Sequence, residues 1–306
     1  MGSIACWVEQ LHRARTPADY AGALAAYRRG LAIMEAARGL NDRVVAELRN
    51  NIGWIHDVRG QHDLALAEYR ASLAIDEHNF GSGHPETAFP LTNIGIAYER
   101  LREYDKALEY YVRALTVRET ALGSEHVELA DTLVGIGNVY KDMGRYDEAI
   151  AQHERALALI TAAHGADHVD NATPLGNLGN VRRAMKQYDR ALADLDRALA
   201  LREPVLGKDH PRVAWLRQVR GETLFEQGDL AAAVVEFEEA LRVRVAGNLP
   251  PADLADTRFA LARALPALAS QRAVDLAKSA CEAYRGLPQR AATLAQCEAW
   301  LRARAK

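Results

Sequence analysis

The residues of this chain best suited to chemistry are histidines, and they recur at a fixed step. His84, His126, His168 and His210 stand 42 residues apart, each three residues after a glycine (Gly81, Gly123, Gly165 and Gly207). Four imidazoles at one period raise the question of zinc, whose ligand bonds are near 2 Å. Neighbouring helices pack about 8–10 Å apart, so equivalent loops of successive repeats cannot share one ion. The spacing predicts instead that each imidazole hydrogen-bonds its own loop and orders the entry to the next helix. His164, with His168, Asp167 and Asp170, forms the one local cluster of ligand-like composition. His164 aligns with Phe80, Leu122 and Leu206, which reads as a half-buried linker position, and no metal or cofactor is expected.

Asparagine is the other recurring polar type. Asn51, Asn93 and Asn177 share one position of the period, and Asn138 and Asn180 share another. A carboxamide both donates and accepts, so such a row can pair with an extended backbone whatever its side chains. It can equally hydrogen-bond neighbouring helices. Both readings stand at the level of sequence. Around them, Trp54, Phe89, Ile96 and Trp215 are apolar candidates and Arg100, Lys141 and Arg183 positive ones, large aromatics and arginine being usual interface anchors.

Catalytic motifs are missing from the sequence. It contains no glycine-rich phosphate loop, no Gly-x-Ser-x-Gly elbow, no His-Glu-x-x-His, and neither the catalytic-loop nor the Asp-Phe-Gly signature of a protein kinase. The expectation is a protein that is not an enzyme. At 49% apolar and 26% charged over 306 residues, the composition is that of a globular chain. A net charge of -3 gives no basic excess to neutralise phosphates, so nucleic acid is not expected as a partner. Cys6, Cys281 and Cys297 are an odd count without a Cys-x-x-Cys spacing. They imply no disulfide framework and favour a reducing, cytoplasmic setting. Ser3-Ile4-Ala5-Cys6 has no apolar stretch before it, and Met1-Gly2 lacks the Ser or Thr that myristoylation wants where Cys6 stands; neither export nor a membrane anchor is expected.

The elements that must hold these residues follow from the same period. Ala23, Ala65, Ala107, Ala149, Ala191 and Ala233 keep the 42-residue step, as do Leu31, Leu73, Leu115, Leu157, Leu199 and Leu241. Each block carries two amphipathic stripes: Leu66, Tyr69 and Leu73 lie on one, and Leu91, Ile94, Tyr98 and Leu101 on another, at three- and four-residue spacing. Strand alternation is absent. The Gly-x-x-His segments, two of them followed by Pro85 or Pro211, supply a helix stop and a helix start. Repeats are expected at about 4–45, 46–87, 88–129, 130–171, 172–213 and 214–255, with a divergent repeat and cap at 256–306. In that last part Phe259–Leu265 reads as a seventh helix A, Arg272–Tyr284 as its partner and Gln289–Arg304 as a final helix. The first helix A is placed at roughly Ile4–Arg15, with Leu11 at the glycine position.

Gly53, Gly95, Gly137, Gly179 and Gly221 share a register inside helix A. Glycine there costs about 1 kcal/mol against alanine, so close approach of the paired helix is expected, with Ala65 and its counterparts facing the glycine and Tyr69-type aromatics on the flanks.

Ile52-Gly53-x-x-His56, Ile94-Gly95-x-x-Tyr98 and Ile136-Gly137-x-x-Tyr140, with Ala65-x-x-x-Tyr69, Ala107-x-x-x-Tyr111 and Ala233-x-x-x-Phe237, resemble helices A and B of the tetratricopeptide repeat. With the Gly-x-x-His-Pro linker the array is similar to the lengthened repeats of kinesin light chains and of many bacterial proteins, and its ending to arrays linked to bacterial serine/threonine kinases. The resemblance implies an all-α fold, a right-handed α-solenoid of about seven hairpins with a C-terminal capping helix. It also implies a scaffold that binds an extended peptide or partner segment in its concave groove, where Asn51, Trp54, Asn93, Ile96, Arg100, Asn138, Lys141, Asn177, Asn180 and Arg183 are the candidate contacts. Similar asparagines bind extended peptides in that family. A chaperone C-terminus is disfavoured as ligand, because Asn50, Thr92, Val134, Gly176 and Gln218 stand where the carboxylate clamp needs lysines. The alternative is a regulatory or sensor module acting with a kinase or transcription regulator; neither reading fixes the oligomeric state.

Overall fold

The computed structural model describes residues 17–247, 251–266, 270–287 and 290–304. The expected first helix A, with Leu11 and Cys6, lies outside them. The described residues form fourteen α-helices and no strand: α1 Pro17–Arg38, α2 Arg43–Val58, α3 His62–Phe80, α4 Ala88–Arg100, α5 Tyr104–Leu122, α6 Ala130–Asp142, α7 Tyr146–His164, α8 Ala172–Ala184, α9 Tyr188–Leu206, α10 Pro211–Gln227, α11 Leu230–Ala246, α12 Pro251–Ala264, α13 Ser270–Arg285 and α14 Ala291–Arg304. From α2 to α13 they pair as six helical hairpins, helix A before helix B, an all-α arrangement of consecutive repeats. The chain divides into two compact units, residues 1–159 and 160–306, the division falling within α7.

The hairpins close on the glycine register, although not through the alanine methyls that spacing suggested. A Cβ at Gly53 would lie 2.7 Å from the Tyr69 ring, at Gly95 2.8 Å from Tyr111, at Gly137 2.6 Å from His153, at Gly179 2.6 Å from Leu195 and at Gly221 2.7 Å from Phe237. The partner of each glycine is thus the large side chain four residues after the alanine, one turn further along helix B. Ala65, Ala107, Ala149, Ala191 and Ala233 are fully buried beside this contact, and the Ala65 carbonyl oxygen comes within 3.2 Å of the same Cβ position at Gly53. Burying a side chain of that size contributes about 2–3 kcal/mol, more than the roughly 1 kcal/mol that a helical glycine costs. In the first unit Tyr111 is held from both sides, because a Cβ at Gly135 of the following helix A would also meet its ring, at 2.7 Å. In the second, Gly176 gives room to Leu216 and Trp215, the latter thereby a packing residue.

Between hairpins, Gly81 ends α3 at φ 86° and ψ 157°, a region open essentially to glycine alone, and Gly123 and Gly207 repeat it. The chain then re-enters helix through His84, His126, His168 and His210. Each imidazole Nδ1 accepts the backbone N–H two residues on, from Glu86, Glu128, Asp170 and Arg212, at 3.3, 3.3, 3.3 and 3.1 Å. This is the loop-ordering role that the period predicts, an N-cap built from histidine.

One expectation from the cysteines is corrected. Cys281 on α13 and Cys297 on α14 form a disulfide, with Cα atoms 5.9 Å apart, so the last helix is tied to the one before it. The two stand 16 residues apart across a helical turn, a pairing that neither an odd count nor a missing Cys-x-x-Cys spacing rules out. The argument from cysteine usage to a reducing compartment loses its support. No helix among the described residues is long and apolar enough to cross a membrane.

The glycine contact predicts opposite effects for two alanine substitutions. Gly95→Ala should destabilise the chain by about 1–3 kcal/mol, since the Tyr111 ring has no direction in which to yield. Gly22→Ala, in α1 with nothing within 4 Å, should stabilise it by about 0.5–1 kcal/mol. Urea unfolding of the two variants measures both.

His153 makes a second prediction. It fills the slot of Tyr69 and Tyr111 but is fully buried, and neither ring nitrogen has a partner among the described residues. Burial, with Lys141 adding to it, pushes its pKa down to about 4. The unfolded chain therefore takes up a proton before the folded one does, and stability falls as pH drops from about 6.5 towards 4. His153→Phe should remove that loss, giving about 2 kcal/mol more stability than the parent at about pH 5 beyond any difference at about pH 7. Unfolding curves at the two pH values check it.

Candidate functional site

Helix A carries the candidate residues, and packing on helix B decides which of them keep free polar groups. In the first unit Asn93 donates from Nδ2 to the Asn50 carboxamide oxygen at 2.8 Å, so it ties α4 to α2. Arg100 pairs with the buried Asp57 at 3.1 Å, and His62 holds the other carboxylate oxygen at 2.7 Å. Lys141 pairs with its neighbour Asp142 at 2.8 Å. Trp54 is 38% exposed and meets Tyr20 edge to face at 6.1 Å. Ile96 is half-buried against the core built by α3 to α6. Asn138, half-buried on α6, makes no hydrogen bond among the described residues. Beneath this face, burial lifts the Glu99 carboxyl to about 7 although Tyr111 donates to it at 2.8 Å.

Asn51 lines a cavity of about 280 Å³ together with Asn50 and Phe89 of the helix A segments, and Ser72 and Asp76 of α3. Burial, with Glu86 and then Glu47 adding to it against Arg43, raises the Asp76 carboxyl to about 6. Sequence reasoning missed Asp76, although its register was readable: Arg118, Arg202 and Arg244 occupy the same position of the period.

In the second unit Asn177 is half-buried and, like Asn138, has no hydrogen-bond partner among the described residues. Asn180 accepts from Arg183 at 3.1 Å, and Arg183 reaches on to Glu222 at 3.2 Å. A second cavity of about 280 Å³ opens beside them, lined by side chains of α8, α10, α12 and α14 together with Phe237 of α11 and Tyr284 of α13. There the Arg263 guanidinium lies 4.6 Å over the Phe225 ring and 5.8 Å from Phe259. Asp256 pairs with Arg290 at 2.5 Å and accepts from Tyr284 at 2.9 Å; burial holds its carboxyl above the ordinary value against both partners. The arginines expected to select charge are thus largely neutralised from within.

The histidine cluster has a packing account. The reactive atoms of His164, His168 and Asp170 lie within 4.8 Å of one another, all exposed, and Asp167 is not among them. His164 and His168 stack with centroids 4.5 Å apart, as Phe80 and His84 do at 4.7 Å in the first unit. The His164 register is more exposed than its linker alignment suggested: Phe80, Leu122 and Leu206 are 39%, 38% and 36% exposed.

Against known families, the tetratricopeptide repeat model matches residues 58–120, 128–193 and 170–244. No curated protein matches the chain. Among solved structures it is similar to BtubC (BKLC) from P. vanneervenii, with 22% identity and a TM-score of 0.58 over 79% of this chain and 92% of that one. A putative kinesin light chain with nearly identical TPR-like repeats from Podosopora anserina is 17% identical, TM-score 0.54, over 68% and 99%. A Rap protein complexed with Competence and Sporulation Factor is 14% identical, TM-score 0.60, over 92% and 84%. Helix pairs at a 42-residue step, the glycine register and the matched segments agree, and the chain belongs to the tetratricopeptide-repeat family, with repeats of the kinesin-light-chain-like type.

Proposed function

We propose that this chain is a protein-interaction scaffold whose helix A faces bind a partner polypeptide segment in extended form. The observation that carries the reading is the pair Asn138 and Asn177: half-buried carboxamides, one in each unit, without a hydrogen-bond partner among the described residues. A half-buried carboxamide without a protein partner is free to take one from outside, and a backbone N–H and C=O laid beside it satisfies both of its ends. Asn93 and Asn180 support the face rather than contact a ligand, since each already holds a neighbour. Trp54 and Asn51 supply an apolar and a polar contact in the first unit. Arg100, Lys141 and Arg183 act through their ion pairs, presenting a balanced surface more than a positive one. The likeness to a Rap protein solved with a bound factor supports a binding role for this fold, and repeat solenoids commit their apolar residues to stacking neighbours rather than to enclosing a reaction.

Peptides selected from a displayed library against the parent chain test this. A hydrogen bond contributes about 1 kcal/mol, so Asn138→Ala and Asn177→Ala should each weaken the peptides held by its own unit about fivefold by titration calorimetry while leaving the unfolding midpoint in place. Unchanged affinity would remove both asparagines from the site.

A further inference from the structure

The position of helix B that holds Asp76 tells what its cavity is shaped to receive. At the same step of the period stand Arg118, Arg202 and Arg244, each buried, 7%, 4% and 5% exposed. Their guanidinium groups lie between helices as internal struts. Arg118 donates to Thr92 at 2.9 Å and to Thr132, residues 26 before and 14 after it. Arg244 donates to Gln218, also 26 before it, to Thr257 and, at 2.7 Å, to the Asp253 carbonyl oxygen. Arg202 donates to Thr173 at 2.6 Å.

At Asp76, in the hairpin of α2 and α3, the strut is missing and its berth remains. Asn50 stands 26 residues before Asp76 and Pro90 14 after it, and both line the cavity of about 280 Å³. A carboxylate ends where the much longer arginine side chain would begin to cross. Asp76 is 7% exposed and makes no hydrogen bond or ion pair among the described residues. Arg43, which also lines the cavity, is taken by Glu47 at 3.2 Å and Glu86 at 3.0 Å. The berth therefore lies between the two positions that Arg118 bridges in the next hairpin, with acceptors along its wall and a buried negative charge where the internal arginine would have been rooted. Burying an unpaired carboxylate is costly, and a guanidinium from outside removes that cost with two parallel hydrogen bonds.

We propose that this cavity takes an arginine side chain of the bound partner segment, its guanidinium paired with Asp76 and hydrogen-bonded to Asn50. The shape and donor pattern of guanidinium suit the berth better than the point charge of lysine does. The source of the arginine rests on the binding role proposed above; the complementarity of the cavity does not.

The probe is N-acetyl-arginine methylamide, titrated into isotopically labelled protein and followed at the side-chain amides of Asn50 and Asn51. Saturable shifts are expected in the parent chain, about tenfold weaker binding in Asp76→Asn, and none in Asp76→Arg, where an internal strut fills the berth. The lysine analogue should bind more weakly than the arginine one. Absence of saturable shifts up to the solubility limit, or shifts that persist unchanged in Asp76→Asn, would overturn the proposal; because Asp76→Asn is isosteric, it decides even where Asp76→Arg fails to fold. If library peptides bind nowhere while the arginine probe titrates the cavity, the extended-segment reading fails alone. If peptides bind, arginine-free ones as tightly as the rest, and the probe gives no shift, the cavity assignment fails alone.

Discussion

The structure depends on one contact made again and again: a glycine in helix A receiving the body of a large side chain from helix B. Without a Cβ at Gly53, Gly95, Gly137, Gly179 or Gly221, the helices of each hairpin come close enough for Tyr69, Tyr111, His153, Leu195 or Phe237 to lie against bare backbone. The slot tolerates different chemistries because what it requires is bulk. Tyr111, wedged in the first unit between Gly95 and Gly135, also carries the contact from one hairpin into the next. The helix A positions on either side of the glycine inherit their orientation towards their own helix B from this wedge, while the partners they meet differ from hairpin to hairpin.

The period made most of this legible before any coordinates. A step of 42 in alanine, leucine, glycine and histidine gives the helix pairs, and the terminal helices emerge close to where apolar spacing puts them, as Ser270–Arg285 and Ala291–Arg304. The histidine caps were readable too, because a residue that repeats with its loop is most simply explained by that loop. What spacing could not give was depth. Ala65 and Tyr69 share a face of α3, and which of them meets Gly53 depends on how far the two helices are displaced along their axes. The same limit applies to polar partners. Asn93, bonded to Asn50, and Asn177, free of such a bond, share one register and look alike until the partner on another helix is seen. Arg100 and Arg183 look alike as candidates for contacting a ligand until Asp57 and Glu222 are seen to hold them. Cys281 and Cys297 are linked by a turn geometry that no spacing rule encodes.

Columns of equivalent residues repay reading for their departures as much as for their agreement. Some departures keep the contact and change the chemistry. His164 replaces Phe80 and keeps the stack on the capping histidine, and His153 replaces tyrosine and keeps the wedge. Arg102 and Lys186 hold the left-handed turn that Gly60, Gly144 and Gly228 hold elsewhere, at φ 60° and 61°. In each case the substitute keeps the local contact or backbone geometry of the residue it replaces, which accounts for it.

Asp76 is of another kind, because its neighbours do not close. Replacing a buried arginine by a shorter residue of opposite charge removes a strut, leaves a cavity beside Asn50, whose carboxamide oxygen holds Asn93, and adds a carboxylate that no described residue pairs with or hydrogen-bonds. Three costs at one position exceed the two unpaired ring nitrogens that His153 leaves in its slot. Ile160, also in this column, shows that an apolar residue occupies the position with only 6% exposure and no charge to satisfy. A chain that needed only to fill space had that solution at hand. The charge at Asp76 is therefore better explained by something it meets than by the fold that carries it, and the arginines of the equivalent positions indicate what chemical group that is.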